Sequence, residues 1–152
     1  MRLTLVIYSL DCGGSQRVLS LLANAWAGQG HSVRILTLAR AARPFFPLDP
    51  SVAVEALDVA RPAPHFLAGL ANNLRRVLAL RRALARHRAE VVLAFIDTAN
   101  VLALLAGRSL GVPMVISERG YPPASEAGPV WRLLRRVTYP LAGKAGLGGV
   151  FG

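Results

Sequence analysis

Three short clusters combine residue types able to hold charged or hydroxylated ligands. The first, Asp11-Cys12-Gly13-Gly14-Ser15, follows directly on an apolar run. Two glycines let a backbone approach a ligand closely and adopt positive φ. Ser15 fits the N-cap of the next helix, whose free amides and dipole favour phosphate. A ligand-free strand-to-helix turn would use the same residues. The second cluster is Asp97-Thr98-Ala99-Asn100, in which Asp97 or Thr98 can cap a helix and Asp97 and Asn100 can contact a substrate. The third is Ser117-Glu118-Arg119-Gly120. There Glu118 suits sugar hydroxyls and Arg119 suits an anion, or the two pair with each other.

Other chemistries lack their residues. The glycine loop does not read GxGxxG, and Asp58 lies well past the spacing of a ribose-binding acid, so a nicotinamide cofactor is poorly supported. Neither a P-loop nor a GxSxG elbow is present. His31, His65 and His87 stand far apart, without metal-ligand spacing. The single Cys12 excludes an intrachain disulfide and a multi-cysteine zinc site.

The elements that must position these clusters follow from apolar periodicity. Strands are predicted at Arg2–Tyr8, Val33–Leu38, Val52–Leu57, Val91–Ile96 and Val112–Ser117. Helices are predicted at Gln16–Gln29, closed by Gly28 and Gly30, then Phe66–His87, Thr98–Leu110 and Val130–Thr138. Strands alternating with helices, and strands nearly unbroken in apolar residues, predict an α/β fold: a Rossmann-like, doubly wound parallel sheet covered on both faces. Ligands of such sheets sit beyond the carboxyl ends of the strands, where all three clusters fall.

The chain has 152 residues, 53% of them hydrophobic and 17% charged, a balance that predicts one well-buried domain. Net charge is +10, and seventeen of the eighteen basic residues are arginine. Several arginines fall on helices opposite apolar positions: Arg75, Arg82 and Arg86 against Leu70, Leu74, Val77, Leu78 and Leu84, and Arg132, Arg135 and Arg136 against Leu133 and Val137. Arg81 intrudes on the apolar side. Basic amphipathic helices suit an anionic membrane surface, although a solvated helix face has the same pattern. No stacking aromatic series or helix-turn-helix accompanies the charge, which argues against nucleic acid. The opening apolar run is short and followed by Asp11, so it reads as a strand rather than a signal, and no stretch is long enough to span a bilayer. A cytoplasmic protein, with peripheral contact at the inner face of the cell membrane, is expected.

Taken in order, these pieces resemble the N-terminal domain of family 4 glycosyltransferases, the first half of the two-domain GT-B architecture. The likeness is carried by the Gly13-Gly14 loop with SQRVLSLLANAWAGQGHSVRILTL, by AFIDTANVLALLAGRSLGVPMVISERGYP, and by WRLLRRVTYPLA. It covers residues 1–142. The resemblance implies a domain that holds a glycan or lipid-linked acceptor, while a C-terminal domain absent from this sequence grips a nucleotide sugar such as a UDP- or GDP-sugar. It places Gly13, Gly14 and Ser15 near the donor diphosphate and Glu118 and Arg119 towards the reacting sugar, with neither metal nor resident cofactor. Many family members carry histidine where this chain has Arg119, and aspartate where it has Gly143. The glycine-rich residues 143–152 replace the sixth strand and suggest a truncated reading frame. The expected function is an acceptor domain, of retaining type, inactive alone. The alternative is a non-catalytic binding module or gene remnant.

Overall fold

The computed structural model describes residues 1–40, 43–60, 66–117 and 129–142. The described residues form five strands, β1 (Arg2–Ile7), β2 (Ser32–Thr37), β3 (Ala53–Ala56), β4 (Val91–Phe95) and β5 (Met114–Ser117), and four helices, with one helix between successive strands except β2 and β3. The helices are α1 (Gly14–Gly28), α2 (Phe66–His87), α3 (Asp97–Gly107) and α4 (Pro129–Ala142). All strands are parallel in the order β3-β2-β1-β4-β5. This is the predicted Rossmann-like sheet, with β1 at its centre between β2 and β4. The fifth strand starts two residues later than expected, after Pro113, which has no amide to donate to a ladder.

Side-chain alternation along the strands divides the core in two. Val6, Leu36, Val92, Ala94 and Ile116 face α2 and α3, where they pack with Leu80, Leu84, Leu102 and Ala103. Leu5, Ile7, Ile35 and Phe95 point the other way, towards Leu19 and Ala23 of α1. Only α1 stands on that second face among the described helices, so the sheet is covered less evenly than the sequence pattern predicted.

Close approach of α3 to the sheet depends on Gly107. A Cβ there would lie 2.6 Å from Met114 Sδ and 3.3 Å from its Cγ. Gly30 ends the first helix–strand turn with φ of 84°, a conformation that favours glycine. At the amino end of the sheet, the Arg2 amide donates to Glu90 Oε2 at 2.6 Å and the Glu90 amide donates to the Arg2 carbonyl at 2.9 Å. That reciprocal pair fixes the register in which β4 enters beside β1.

Helix α2 has 22 residues and is therefore about 33 Å long. A five-residue strand such as β4 spans only about 17 Å. The helix returns the chain from the carboxyl end of β3 to the amino end of β4, so its N-terminal half overhangs the carboxyl edge of the sheet. Burial changes along the helix: Leu80, Ala83 and Leu84 in its second half are buried, whereas Leu70 and Leu74 in its first half are exposed at 63% and 60%, and Leu78, on the flank of the buried face, at 41%. The single apolar face predicted for α2 thus splits into a core-facing half and a solvent-facing half. Arg81, which broke the apolar pattern, donates to Ser109 Oγ. Among the described residues no helix is long and apolar enough to cross a membrane.

Candidate functional site

Strand β1 exchanges hydrogen bonds with β2 on one side and β4 on the other. Its following helix crosses one face of the sheet, while α3, which follows β4, lies on the opposite face. The chain diverges at this point and leaves a crevice beyond the strand ends, the usual ligand position in open α/β sheets. Two of the predicted clusters meet there, Gly13–Ser15 after β1 and Asp97–Asn100 after β4.

The glycine loop differs in detail from its expectation. Gly13 occupies the N-cap position of α1 with φ of 177° and makes no side-chain cap. This is extended backbone open to any residue, so neither glycine uses positive φ. Ser15 is not the cap but lies inside the helix, which starts at Gly14. The Gly13 carbonyl begins the helical ladder by accepting from the Arg17 amide at 3.0 Å. Glycine at position 13 instead leaves room for the Gln16 side chain, which a Cβ would overlap. Gly14 is exposed and has open space where its Cβ would be. The first turn of α1 carries no acidic residue, so its free amides present an uncompensated positive end.

The N-terminus of α3 has the opposite character. Asp97 lies in its first turn, and the N-cap position is Ile96, again without a side-chain cap. Neither Asp97 nor Thr98 is the predicted cap. Ile96 has φ of 72° and ψ of 146°, a region that a β-branched residue enters only under strain of about 1–3 kcal/mol. Its amide donates to the Ser117 carbonyl at 3.2 Å and its carbonyl accepts from the Asn100 amide at 2.9 Å, which holds the strained turn in place. The negative Asp97 makes this side of the crevice suited to hydroxyl or cationic groups and the α1 side suited to phosphate.

Asn100 is fully buried. Its Nδ2 donates to the Ser117 carbonyl and to Tyr139 Oη, each at 3.4 Å, while Oδ1 has no partner among the described residues. The predicted contact residue therefore serves first as a tie between α3, the end of β5 and α4. Glu118 and Arg119 lie outside the described residues. Among the described residues no group of three or more His, Cys, Asp or Glu side chains could hold a metal ion.

The predicted basic surface separates into engaged and exposed members. Arg86 Nη2 pairs with Glu55 Oε1 at 2.7 Å, and His87 and Arg34 converge on the same carboxylate at 2.8 Å and 3.7 Å. Arg75 and Arg82 are exposed. With Leu57, Val59, Leu74 and Leu78 they border a groove of about 420 Å³ between α2 and the segment after β3. Arg136 is exposed beside Leu133 and Val137, which are 64% and 63% exposed. The side chains of Arg132 and Arg135 lie outside the described set. Sequence reading missed Ile96 and Tyr139. The strain at Ile96 is a backbone property without a residue-type signature, and Tyr139 acts across 39 residues.

Comparison with known proteins places this geometry. Residues 13–146 match the family described as glycosyl transferase 4-like domain. A curated relative from Campylobacter jejuni is 34% identical over 140 residues. It is a GalNAc-alpha-(1->4)-GalNAc-alpha-(1->3)-diNAcBac-PP-undecaprenol alpha-1,4-N-acetyl-D-galactosaminyltransferase, and the match covers 92% of this chain but 38% of the relative. Among solved structures, sucrose-phosphate synthase from Thermosynechococcus elongatus aligns with a TM-score of 0.69 at 11% identity, over 91% of this chain and 40% of that one. MurG from Acinetobacter baumannii aligns with a TM-score of 0.60 at 18% identity, over 90% and 39% respectively. These structures share the fold. The present chain spans well under half the length of the proteins it matches. Sequence motifs, sheet order and family match agree that this chain belongs to the glycosyl transferase 4-like family, as its Rossmann-like N-terminal domain.

Proposed function

We propose that this domain binds the acceptor of a nucleotide-sugar-dependent glycosyltransferase, and that the acceptor is a glycan carried on a polyprenyl diphosphate at an anionic membrane surface. The observation carrying this reading is the exposed face of α2, which sets Leu74, Leu78, Arg75 and Arg82 around a groove at the β3 edge of the sheet, with exposed Leu70 on the same helix. Leucines provide apolar contact with lipid, and guanidiniums attract phosphate. The Campylobacter relative, whose name specifies an undecaprenyl-diphosphate-linked acceptor, supports the same class.

In this reading the amides at the start of α1 face the diphosphate of the donor, with Gly13 and Gly14 providing access for it. Asp97 lies on the hydroxyl-binding side, and Glu118 and Arg119, next in sequence after β5, are assigned to the reacting sugar. Stabilising a departing nucleoside diphosphate beside an oxocarbenium-like sugar is mainly electrostatic work. The assigned groups provide part of it, and a complementing donor domain provides the rest. Catalysis by these 152 residues alone is therefore negligible.

Titration calorimetry and vesicle sedimentation test the proposal together. Nucleotides (UDP, GDP and NAD) are expected to bind no more tightly than about 1 mM, near −4 kcal/mol. Anionic vesicles containing a polyprenyl-diphosphate glycan are expected to retain the protein better than the same vesicles without it. Tight UDP or GDP binding by this chain would overturn the acceptor-side assignment. Tight NAD binding would remove the transferase reading altogether.

A further inference from the structure

The chain leading into β3 is fixed more firmly than a surface connection requires. The Phe45 amide donates to the Leu10 carbonyl at 3.0 Å. Asn24 of α1 then clamps the next turn with both ends of its amide. Its Nδ2 donates to the Pro47 carbonyl at 3.0 Å, and its Oδ1 accepts from the Asp49 amide at 2.8 Å. Between these two ties Leu48 packs against the core on the α1 side of the sheet. Asp49 Oδ1 accepts from the Ser51 hydroxyl at 2.6 Å and the Ser51 amide at 2.9 Å. Those two bonds, the hydroxyl first, hold the Asp49 carboxyl below its ordinary range, so it stays charged. Pro44, Pro47 and Pro50 restrict the backbone further.

This frame holds an aromatic ring out in water. Phe45 is 62% exposed. Half-buried Phe46 meets it edge to face, with ring centroids 5.0 Å apart and planes at 77°. A phenyl ring gains by leaving water, and a loop free to relax would fold it away. Its position is also specific. The Leu10 carbonyl that anchors Phe45 belongs to the peptide joining Leu10 to Asp11, where the glycine cluster begins. Phe45 therefore stands beside the glycine loop, at the rim of the crevice.

The surroundings favour one class of ligand. Asp11, Arg43 and Asp49 are all exposed on the two segments joined here. The neighbourhood is thus mixed in charge, whereas a surface that enters an anionic bilayer is apolar and basic. A pyranose matches the mixture. One of its faces is a patch of weakly positive C–H groups that lies flat on the negative face of an aromatic ring. Its edge carries hydroxyls that bond carboxylates and guanidiniums.

We propose that Phe45 is the platform on which a pyranose ring of the acceptor glycan stacks, selecting sugars that present adjacent C–H groups on one face. Phe46 braces the platform and the Asn24 clamp sets its position. The inference rests on the acceptor-domain reading above and adds to it a residue that decides which glycan is held.

Vesicle sedimentation of the full chain tests it. The vesicles are phosphatidylserine and phosphatidylcholine, with or without the undecaprenyl-diphosphate glycan named as acceptor for the Campylobacter relative. The glycan-dependent part of binding is expected to weaken about tenfold in Phe45→Ala and to persist in Phe45→Trp, which keeps a stacking face. Asn24→Ala leaves the ring but loosens its frame, and should weaken that part about threefold. Circular dichroism checks that each variant is folded. If Phe45→Ala holds glycan-bearing vesicles as well as wild type does, the platform falls and the acceptor reading stands. If wild type does not distinguish the two kinds of vesicle, both fall. Equal loss from plain vesicles would make Phe45 a membrane anchor. Self-association abolished by Phe45→Ala would make it a contact between copies. Either result overturns the proposal.

Discussion

Asn100 in the first turn of α3 donates to the main-chain oxygen of Ser117, the last residue of β5, at 3.4 Å. The same amide nitrogen reaches Tyr139 on α4, so one buried side chain joins three elements behind the crevice. Asn100→Asp should keep the shape while placing an uncompensated carboxylate in a dry site. The expected loss is about 3 kcal/mol, measured by urea unfolding at pH 7. Burial disfavours the charged carboxyl, so part of that loss should be recovered as pH falls and the group protonates. A loss under 0.5 kcal/mol would mean that the site is wet.

Strain at Ile96 can be isolated by comparing two truncations. Both Ile96→Ala and Ile96→Gly lose the packed side chain, but only glycine accepts φ of 72° freely. The glycine variant should be more stable than the alanine variant by about 1 kcal/mol, the reverse of the usual order. Thermal unfolding of the pair decides it.

Contact between Gly107 and Met114 predicts coupling. Gly107→Ala gains helix propensity but drives a methyl into Met114, with an expected net loss of about 1 kcal/mol. Met114→Ala also destabilises alone. In the double variant the new methyl occupies vacated space, and the cycle should show about 1 kcal/mol of favourable coupling. Additive losses would place the two residues out of contact.

The Glu90 carboxyl is held below its ordinary value of 4.5, chiefly by the Arg2 amide it accepts from, against the opposing effect of desolvation, with the charges of Arg2 and the amino terminus contributing less. A carboxylate with a depressed folded-state pKa adds stability above its unfolded value and loses it as pH falls through the folded one. Wild type should therefore exceed Glu90→Gln in stability at pH 7. The gap should begin to close below about pH 4.5 and vanish in stronger acid. A gap independent of pH would assign the effect to packing.

Membrane attachment should discriminate among the arginines. Each basic residue near an anionic surface contributes about 1 kcal/mol, so Arg75→Gln and Arg82→Gln should each weaken binding to phosphatidylserine vesicles about fivefold. Arg86→Gln should change it much less, because that guanidinium already pairs with Glu55. Equal effects from all three would indicate attraction by net charge alone.

Strand and helix positions were legible because apolar periodicity records burial directly. Leu3 to Ile7 and Val91 to Phe95 admit little but a buried parallel strand. Caps were not legible. Ser15 and Asp97 have the right residue types, yet α1 begins two residues earlier and α3 one, on backbone geometry at Gly13 and Ile96 that residue identity does not encode. The exposed leucines of α2 were hidden for another reason: periodicity gives the direction of a side chain but not whether the sheet extends far enough to cover it. The pairing of Arg86 with Glu55 spans 31 residues and has no local signature.

The strand order also bears on synthesis. The first strand made is the one that ends at the centre of the sheet, and its two neighbours are completed at Thr37 and Phe95. A ribosome adding about 5–20 residues per second therefore releases β1-α1-β2 seconds before β4 exists. Throughout that interval one edge of β1 remains open. Nascent-chain handling, and not only the thermodynamics of the finished fold, thus bears on how much folded protein a cell obtains.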